Sequence, residues 1–134
     1  MNPQDKVAVV TGASGGTGAA TAHGLAEAGA RIIIGYNGKS AEASKIAAEL
    51  PGNGHRAMRI PMLGTNVIRE VAATVERDFG RYDVLVNSAG FTRMVPHHDL
   101  EALDDDLIGA IFAANVRGPF AMVRTFAPPD EKVG

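Results

Sequence analysis

The sequence predicts a single α/β domain built on a parallel β-sheet with helices on both faces. Short apolar runs, the first apolar throughout, alternate with longer segments of helical period. A glycine-rich turn separates the first run from the first helical segment, and the connections fall in the usual length range. A run without polar alternation suits a strand covered on both faces. Right-handed crossovers through the intervening helices then give a three-layer parallel sheet.

The elements follow in order. Val7–Thr11 reads as the first strand, and an alanine-rich helix runs from about Thr17 to Ala28 with Gly29 as its stop. Arg31–Tyr36 holds Ile32, Ile33 and Ile34 and reads as a second buried strand. Ser40 is a candidate N-cap for the next helix, whose stripe is Ala43, Ile46, Ala47 and Leu50; Pro51-Gly52-Asn53-Gly54 ends it. Arg56–Ile60 is a weaker third strand. Val67, Val71, Val75 and Phe79 mark a third helix that Gly80 stops. Val84–Asn87 is the fourth strand. Leu103 to about Thr125 reads as one long helix, ended by Ala127-Pro128-Pro129.

Composition narrows the class. At 134 residues one core is expected, and 46% hydrophobic with 21% charged residues is ordinary for a globular domain. The net charge of −2 and the absence of a basic run give no electrostatic reason to expect nucleic acid or an anionic membrane as partner. There is no cysteine, which removes disulfides and thiol chemistry. No uninterrupted apolar run approaches the ~20 residues of a bilayer span, and the first residues lack signal-peptide organisation. A soluble, cytoplasmic protein is expected.

The chemistry concentrates in Thr11-Gly12-Ala13-Ser14-Gly15-Gly16-Thr17-Gly18, between strand and helix. Gly12 permits a tight turn, Gly16 lets a pyrophosphate approach the backbone, and Gly18 lets the helix pack close to the sheet. The helix N-terminus offers free N–H groups and about half a positive charge, while Ser14 and Thr17 add hydroxyl donors. A P-loop would need Gly-Lys-Ser/Thr, but Ala19 and Ala20 follow Gly18. G-x-G-x-x-G fails because Ser14 stands at its second glycine.

The spacing that fits is T-G-x-x-x-G-x-G, and with it the sequence resembles the short-chain dehydrogenase/reductase family. Asn87-Ser88-Ala89-Gly90 after Val84-Leu85-Val86 is similar to that family's N-N-A-G motif. Phe79-Gly80-Arg81-Tyr82-Asp83 is similar to its approach to the fourth strand, and Asn115-Val116-Arg117-Gly118 to the helical segment carrying its asparagine. The resemblance implies a Rossmann-type sheet of strand order 3-2-1-4 over residues 1–134. It also implies NAD(P) as cofactor and hydride transfer with a small carbonyl or alcohol substrate.

On that resemblance Gly12, Ser14, Gly15, Gly16, Thr17 and Gly18 would hold the pyrophosphate. Asn87, Ala89 and Gly90 would lie near the nicotinamide ribose, although Asn87 is equally read as a tie between strands. Asn115 would support a proton relay from a locally distorted helix, or else be a buried asparagine satisfied by backbone. Strand two ends in Tyr36-Asn37-Gly38-Lys39-Ser40, with no carboxylate where an NAD site places one. Lys39 and Ser40 could receive a 2′-phosphate, so NADP is preferred over NAD; a solvated Lys39 is the competing reading. Pro61-Met62-Leu63-Gly64 stands where the family places an Asp-Val pair against adenine, so Met62 replaces the carboxylate.

His97-His98-Asp99 is read as solvent-exposed or as a minor substrate contact rather than a metal site. Asp104-Asp105-Asp106 is read as a charged first helical turn. The family's serine and Tyr-x-x-x-Lys have no counterpart here, since Ser40 and Val86 occupy the fourth position after Tyr36 and Tyr82. Of the family's catalytic set only Asn115 is matched. The expectation is therefore a domain that stops after its fourth βα unit and is inactive alone, part of a reductase or dehydrogenase; the alternative is a non-catalytic dinucleotide-binding module or an inactive fragment. The fourth strand would be an apolar edge, and helix 103–125 has apolar residues on more than one face; the resemblance implies that this helix pairs subunits of a dimer or tetramer.

Overall fold

Val7–Val10 form β1, and all four side chains are completely buried. That follows from the position of β1 in the sheet of this computed structural model, which describes residues 2–127. β1 pairs in parallel with β2 (Arg31–Tyr36) on one side and β4 (Val84–Val86) on the other; β3 (Arg56–Arg59) lies outside β2. The order is β3-β2-β1-β4, as the resemblance implies.

Alternation along the strands divides the interior in two. Val7, Val9 and Ile33 face a core shared with Ile60, with Ile68, Val71 and Val75 of α3 (Thr65–Phe79), and with Met122 and Phe126 of α5 (Gly118–Phe126). Ala8, Val10, Ile32 and Ile34 face the other core, closed by α1 (Gly16–Glu27) and α2 (Ser40–Glu49) through Ala22, Ala26 and Ala43. Each fully buried Ile or Val contributes about 1.5–3 kcal/mol relative to exposure.

Several boundaries differ from expectation. α1 starts at Gly16 rather than Thr17, and its C-cap is Ala28, with Gly29 at φ +101° just beyond. Ser40 does not cap α2: Lys39 is the N-cap residue, so Ser40 already lies inside the first turn. β3 ends at Arg59 and β4 at Val86, one residue earlier than expected, although Ile60 N–H still donates to the Tyr36 carbonyl at 2.7 Å. Gly80 stops α3 in the left-handed conformation, as its sequence position predicts.

The long helix is the largest correction. A 3-10 turn, Leu100–Ala102, precedes α4 (Asp105–Phe112); a π segment, Ala113–Arg117, then joins it to α5. Asp104 lies outside the first turn as N-cap, its carboxylate accepting from Leu107 N–H at 2.9 Å. The helix ends at Phe126, and Pro128 and Pro129 lie outside the described residues. The 22-residue stretch Asp105–Phe126 is long and apolar enough by length and composition to cross a membrane. Asn115, Arg117 and Arg124 interrupt it, and Ala121, Met122 and Phe126 belong to the core shared with α3. Ile108, Phe112, Val116, Phe120 and Val123 remain exposed along its outer side.

Candidate functional site

The turn after β1 is held by backbone. Thr11 N–H donates to the Val86 carbonyl and Ala13 N–H to the Gly35 carbonyl, both at 3.0 Å, so the loop is tied to strands on either side. Gly12 adopts φ +61°, and a side chain there would press on the Ala89 backbone at 2.7 Å. A Cβ on Gly18 would overlap the Gly12 carbonyl, whose carbon would be 2.9 Å away. Glycine at these two positions brings α1 and the β4 loop against the same turn.

The opposite holds at Gly15 and Gly16, where an added Cβ would meet nothing within 4 Å. They form the open front of the α1 N-terminus, which has no side-chain cap and no acidic residue in its first turn. Its orphan N–H groups and partial positive charge therefore face space that an anion can occupy. Thr17 is exposed, and its carbonyl accepts from Thr21 Oγ1 at 2.8 Å.

A cleft of about 700 Å³ opens at the carboxyl ends of the strands, within the range of small-ligand sites. It gathers Gly12 and Ser14 from the loop, Tyr36, Asn37 and Lys39 from the end of β2, Met62 and Leu63 after β3, and Ala89 and Gly90 after β4. Gly15, Gly16, Thr17, Gly18, Ser40, Asn87 and Asn115 do not line it. Arg59 and Phe91 do, and the sequence reading missed both. No sequence signal marked Arg59, because its place opposite Tyr36 is set by the sheet register.

Polar side chains fasten the other wall. The buried Thr11 hydroxyl accepts from Ser88 and Ala89 N–H at 3.1 Å each, fixing the turn after β4. Asn115 lies within the π segment; its Oδ1 accepts from Phe91 N–H at 3.2 Å, and its Nδ2 donates to the Phe91 and Ile111 carbonyls. The helix is thus distorted where the resemblance implies, and the asparagine is exposed rather than buried. Asn87 Nδ2 donates to the Pro119 carbonyl at 3.3 Å, tying β4 to α5 and not to a neighbouring strand. Met62 lines the cleft and also abuts Gly118, where an added Cβ would lie 2.7 Å from Met62 Cβ.

Among the described residues no group of His, Asp and Glu has metal-binding geometry. His97 and His98 are exposed, while Asp99 caps the 3-10 turn by accepting from Ala102 N–H. Asp83 lies at the other end of the sheet. Arg81 donates to its carboxylate at 2.7 and 2.8 Å, and Val7 N–H donates at 2.9 Å. The Arg81 guanidinium, aided by Val7 and opposed by partial burial, holds the Asp83 carboxyl below the ordinary carboxylate range. That pairing joins β1 to β4 away from the cleft.

Comparison with known proteins agrees with this geometry. The sequence model of the short chain dehydrogenase family matches residues 6–134. The chain is 41% identical over 120 residues to the D-threitol dehydrogenase of Mycolicibacterium smegmatis, covering 87% of this chain and 44% of that protein. It is 31% identical over 126 residues to an L-rhamnose 1-dehydrogenase (NAD(P)(+)) of a Sphingomonas species, covering 92% and 48%. A dehydrogenase/reductase structure from Sinorhizobium meliloti superposes with a TM-score of 0.83 at 32% identity, covering 92% of this chain and 49% of that one. The chain thus spans about half the length of these relatives.

Proposed function

The chain belongs to the short chain dehydrogenase family, and from that premise we propose that it is the dinucleotide-binding part of an NAD(P)-dependent oxidoreductase. The observation that carries the proposal is the open, uncapped α1 N-terminus at one end of a cleft along the strand ends. Gly12, Ser14, Gly15, Gly16, Thr17 and Gly18 hold the pyrophosphate through backbone and hydroxyl donors. Tyr36, Asn37, Lys39 and Ser40 surround the adenosine ribose. Met62 and Leu63 flank the adenine with apolar surface in place of a carboxylate. Asn87, Ala89 and Gly90 border the nicotinamide ribose, Asn87 while bonded to α5.

When bound, the nicotinamide exchanges a hydride with a carbonyl or alcohol carbon of a small substrate. Asn115 acts here as a positioning residue, because its amide grips the Phe91 backbone at the cleft wall. Neither tyrosine of these 134 residues is followed by lysine at the fourth position. Binding is therefore expected of them without turnover. The absence of a carboxylate beside Asn37 supports NADP over NAD. The exposed stripe Ile108, Phe112, Val116 and Phe120 supports a homo-oligomer formed through this helix, in the cytoplasm.

Titrating the chain with NADPH and NADH, read by nicotinamide fluorescence, tests the proposal. Saturable binding that Gly16→Val abolishes is expected, because Gly16 sits at φ +59° facing open space. Absence of binding overturns the proposal. Carbonyl reduction by the purified chain overturns the expectation of binding without turnover.

A further inference from the structure

We propose that Arg59, from the neighbouring strand β3, selects a dinucleotide carrying a 2′-phosphate, and that Asn37 holds its guanidinium ready for this. The inference rests on the dinucleotide reading above and adds a residue and a mechanism to it. Arg59 pairs in register with Tyr36, so its side chain starts beside the β2–α2 turn. Its Nε donates to the Asn37 carbonyl at 3.2 Å and its Nη2 to Asn37 Oδ1 at 3.5 Å. A guanidinium has five N–H donors in a fixed plane. Two contacts to one residue orient that plane and leave the other donors for a ligand.

The charge environment points the same way. Among the described residues Lys39 and Arg59 are the charged side chains lining the cleft, and neither Asp nor Glu lines it. Arg59 takes part in no ion pair among the described residues. In a chain of net charge −2, two uncompensated cations on one wall form a local anion site. A plain ribose presents a hydroxyl there, whereas a 2′-phosphate presents acceptor oxygens and negative charge that suit a guanidinium.

Asn37 is the telling residue. It stands about where an NAD-binding site carries its acid, roughly 20 residues past the glycines. Aspartate of the same size would also hold Arg59 but would cancel its charge. The amide positions the guanidinium and leaves the charge available. Lys39 shares the wall without such an anchor, and a flexible ammonium loses more freedom when it binds.

The test measures dissociation constants of NADPH and NADH on the intact chain and its variants. Arg59→Met is expected to weaken NADPH on the order of 10-fold or more while leaving NADH within about 2-fold. Unchanged NADH binding also shows that the site remains folded. Lys39→Met is expected to cost NADPH less. Asn37→Asp is expected to narrow or reverse the preference, by pairing with Arg59 and offering an acceptor to the ribose hydroxyl.

A second readout uses protection against thermal unfolding by adenosine 2′,5′-bisphosphate compared with 5′-AMP; Arg59→Met should erase the difference. Equal weakening of both dinucleotides, a larger effect at Lys39, or unaltered NADPH binding in Arg59→Met overturns the proposal alone. An unaltered chain that binds both equally does the same. An unaltered chain that binds neither overturns the dinucleotide reading as well.

Discussion

The two faces of the sheet solve the same packing problem with different residues. Toward α3 and α5 the core is built from large side chains, Ile68, Val71, Val75, Met122 and Phe126. Toward α1 and α2 the helices contribute mainly Ala22, Ala26 and Ala43, with Leu50 at the end of α2, and the strands supply Ile32 and Ile34. The first face gains stability from apolar volume. The second gives up volume for closeness, which sets the α1 N-terminus over the turn after β1. Stability and ligand placement are therefore unequally shared between the faces, and substitutions should reveal it.

The largest effect is expected at Ile68, completely buried in the large-residue core. Ile68→Ala should lower unfolding stability by about 2–5 kcal/mol in denaturant titrations, through lost contacts and a cavity. Its effect on dinucleotide affinity should be small. On the alanine face the damaging direction is reversed. Ala22 is completely buried, and Ala22→Leu should cost about 1–3 kcal/mol by overpacking. It should also weaken NADPH binding, because α1 must move. If Ala22→Leu destabilises without touching affinity, the distinction between the faces fails.

Thr11 lies where the faces meet at the cleft. Thr11→Val keeps the shape but removes the hydroxyl that accepts from Ser88 and Ala89 N–H. Those donors are only half-buried, so a loss of about 1–2 kcal/mol is expected, with faster hydrogen exchange in that turn. Native-like exchange there would show that water replaces the hydroxyl.

The smallest effect is expected at Asp83, outside both cores. Its carboxyl is lowered in the folded chain. The stabilisation is therefore complete above the ordinary carboxylate range and is lost as pH falls through the lowered folded value. Asp83→Asn should flatten the acid limb of the stability profile and leave neutral-pH cooperativity intact. An acid limb parallel to that of the unaltered chain would show that other carboxylates dominate it.

Much of this organisation was legible in residue order. The apolar runs and the spacing of Val67, Val71, Val75 and Phe79 are local patterns, and they located the strands and α3. The T-G-x-x-x-G-x-G turn was legible because Gly12 and Gly18 answer close contacts that only a missing Cβ allows, and Gly16 takes a positive φ. Arg59 was not legible, since its relation to Asn37 arises only when β3 lies beside β2. The role of Thr11 depends in the same way on β4 arriving beside β1. The π segment escaped because its sequence has ordinary helical apolarity; only the match around Asn115 hinted at distortion. Ser40 misled because a serine one residue too late resembles a cap.

The sheet order also sets which strand pairing must close the longer span of chain. β1 pairs with β2 after a short stretch of chain, but its other neighbour, β4, arrives only after two further helices. Closing that longer span costs more chain entropy before its contacts reward it. When β4 docks it is secured at both ends, by Asp83 on Val7 and by Thr11 on Ser88 and Ala89. The same contact sets Ala89 against Gly12 at the cleft wall. The binding site thus depends on the sheet pairing that spans the longer stretch of chain, and a ligand bound there stabilises that pairing.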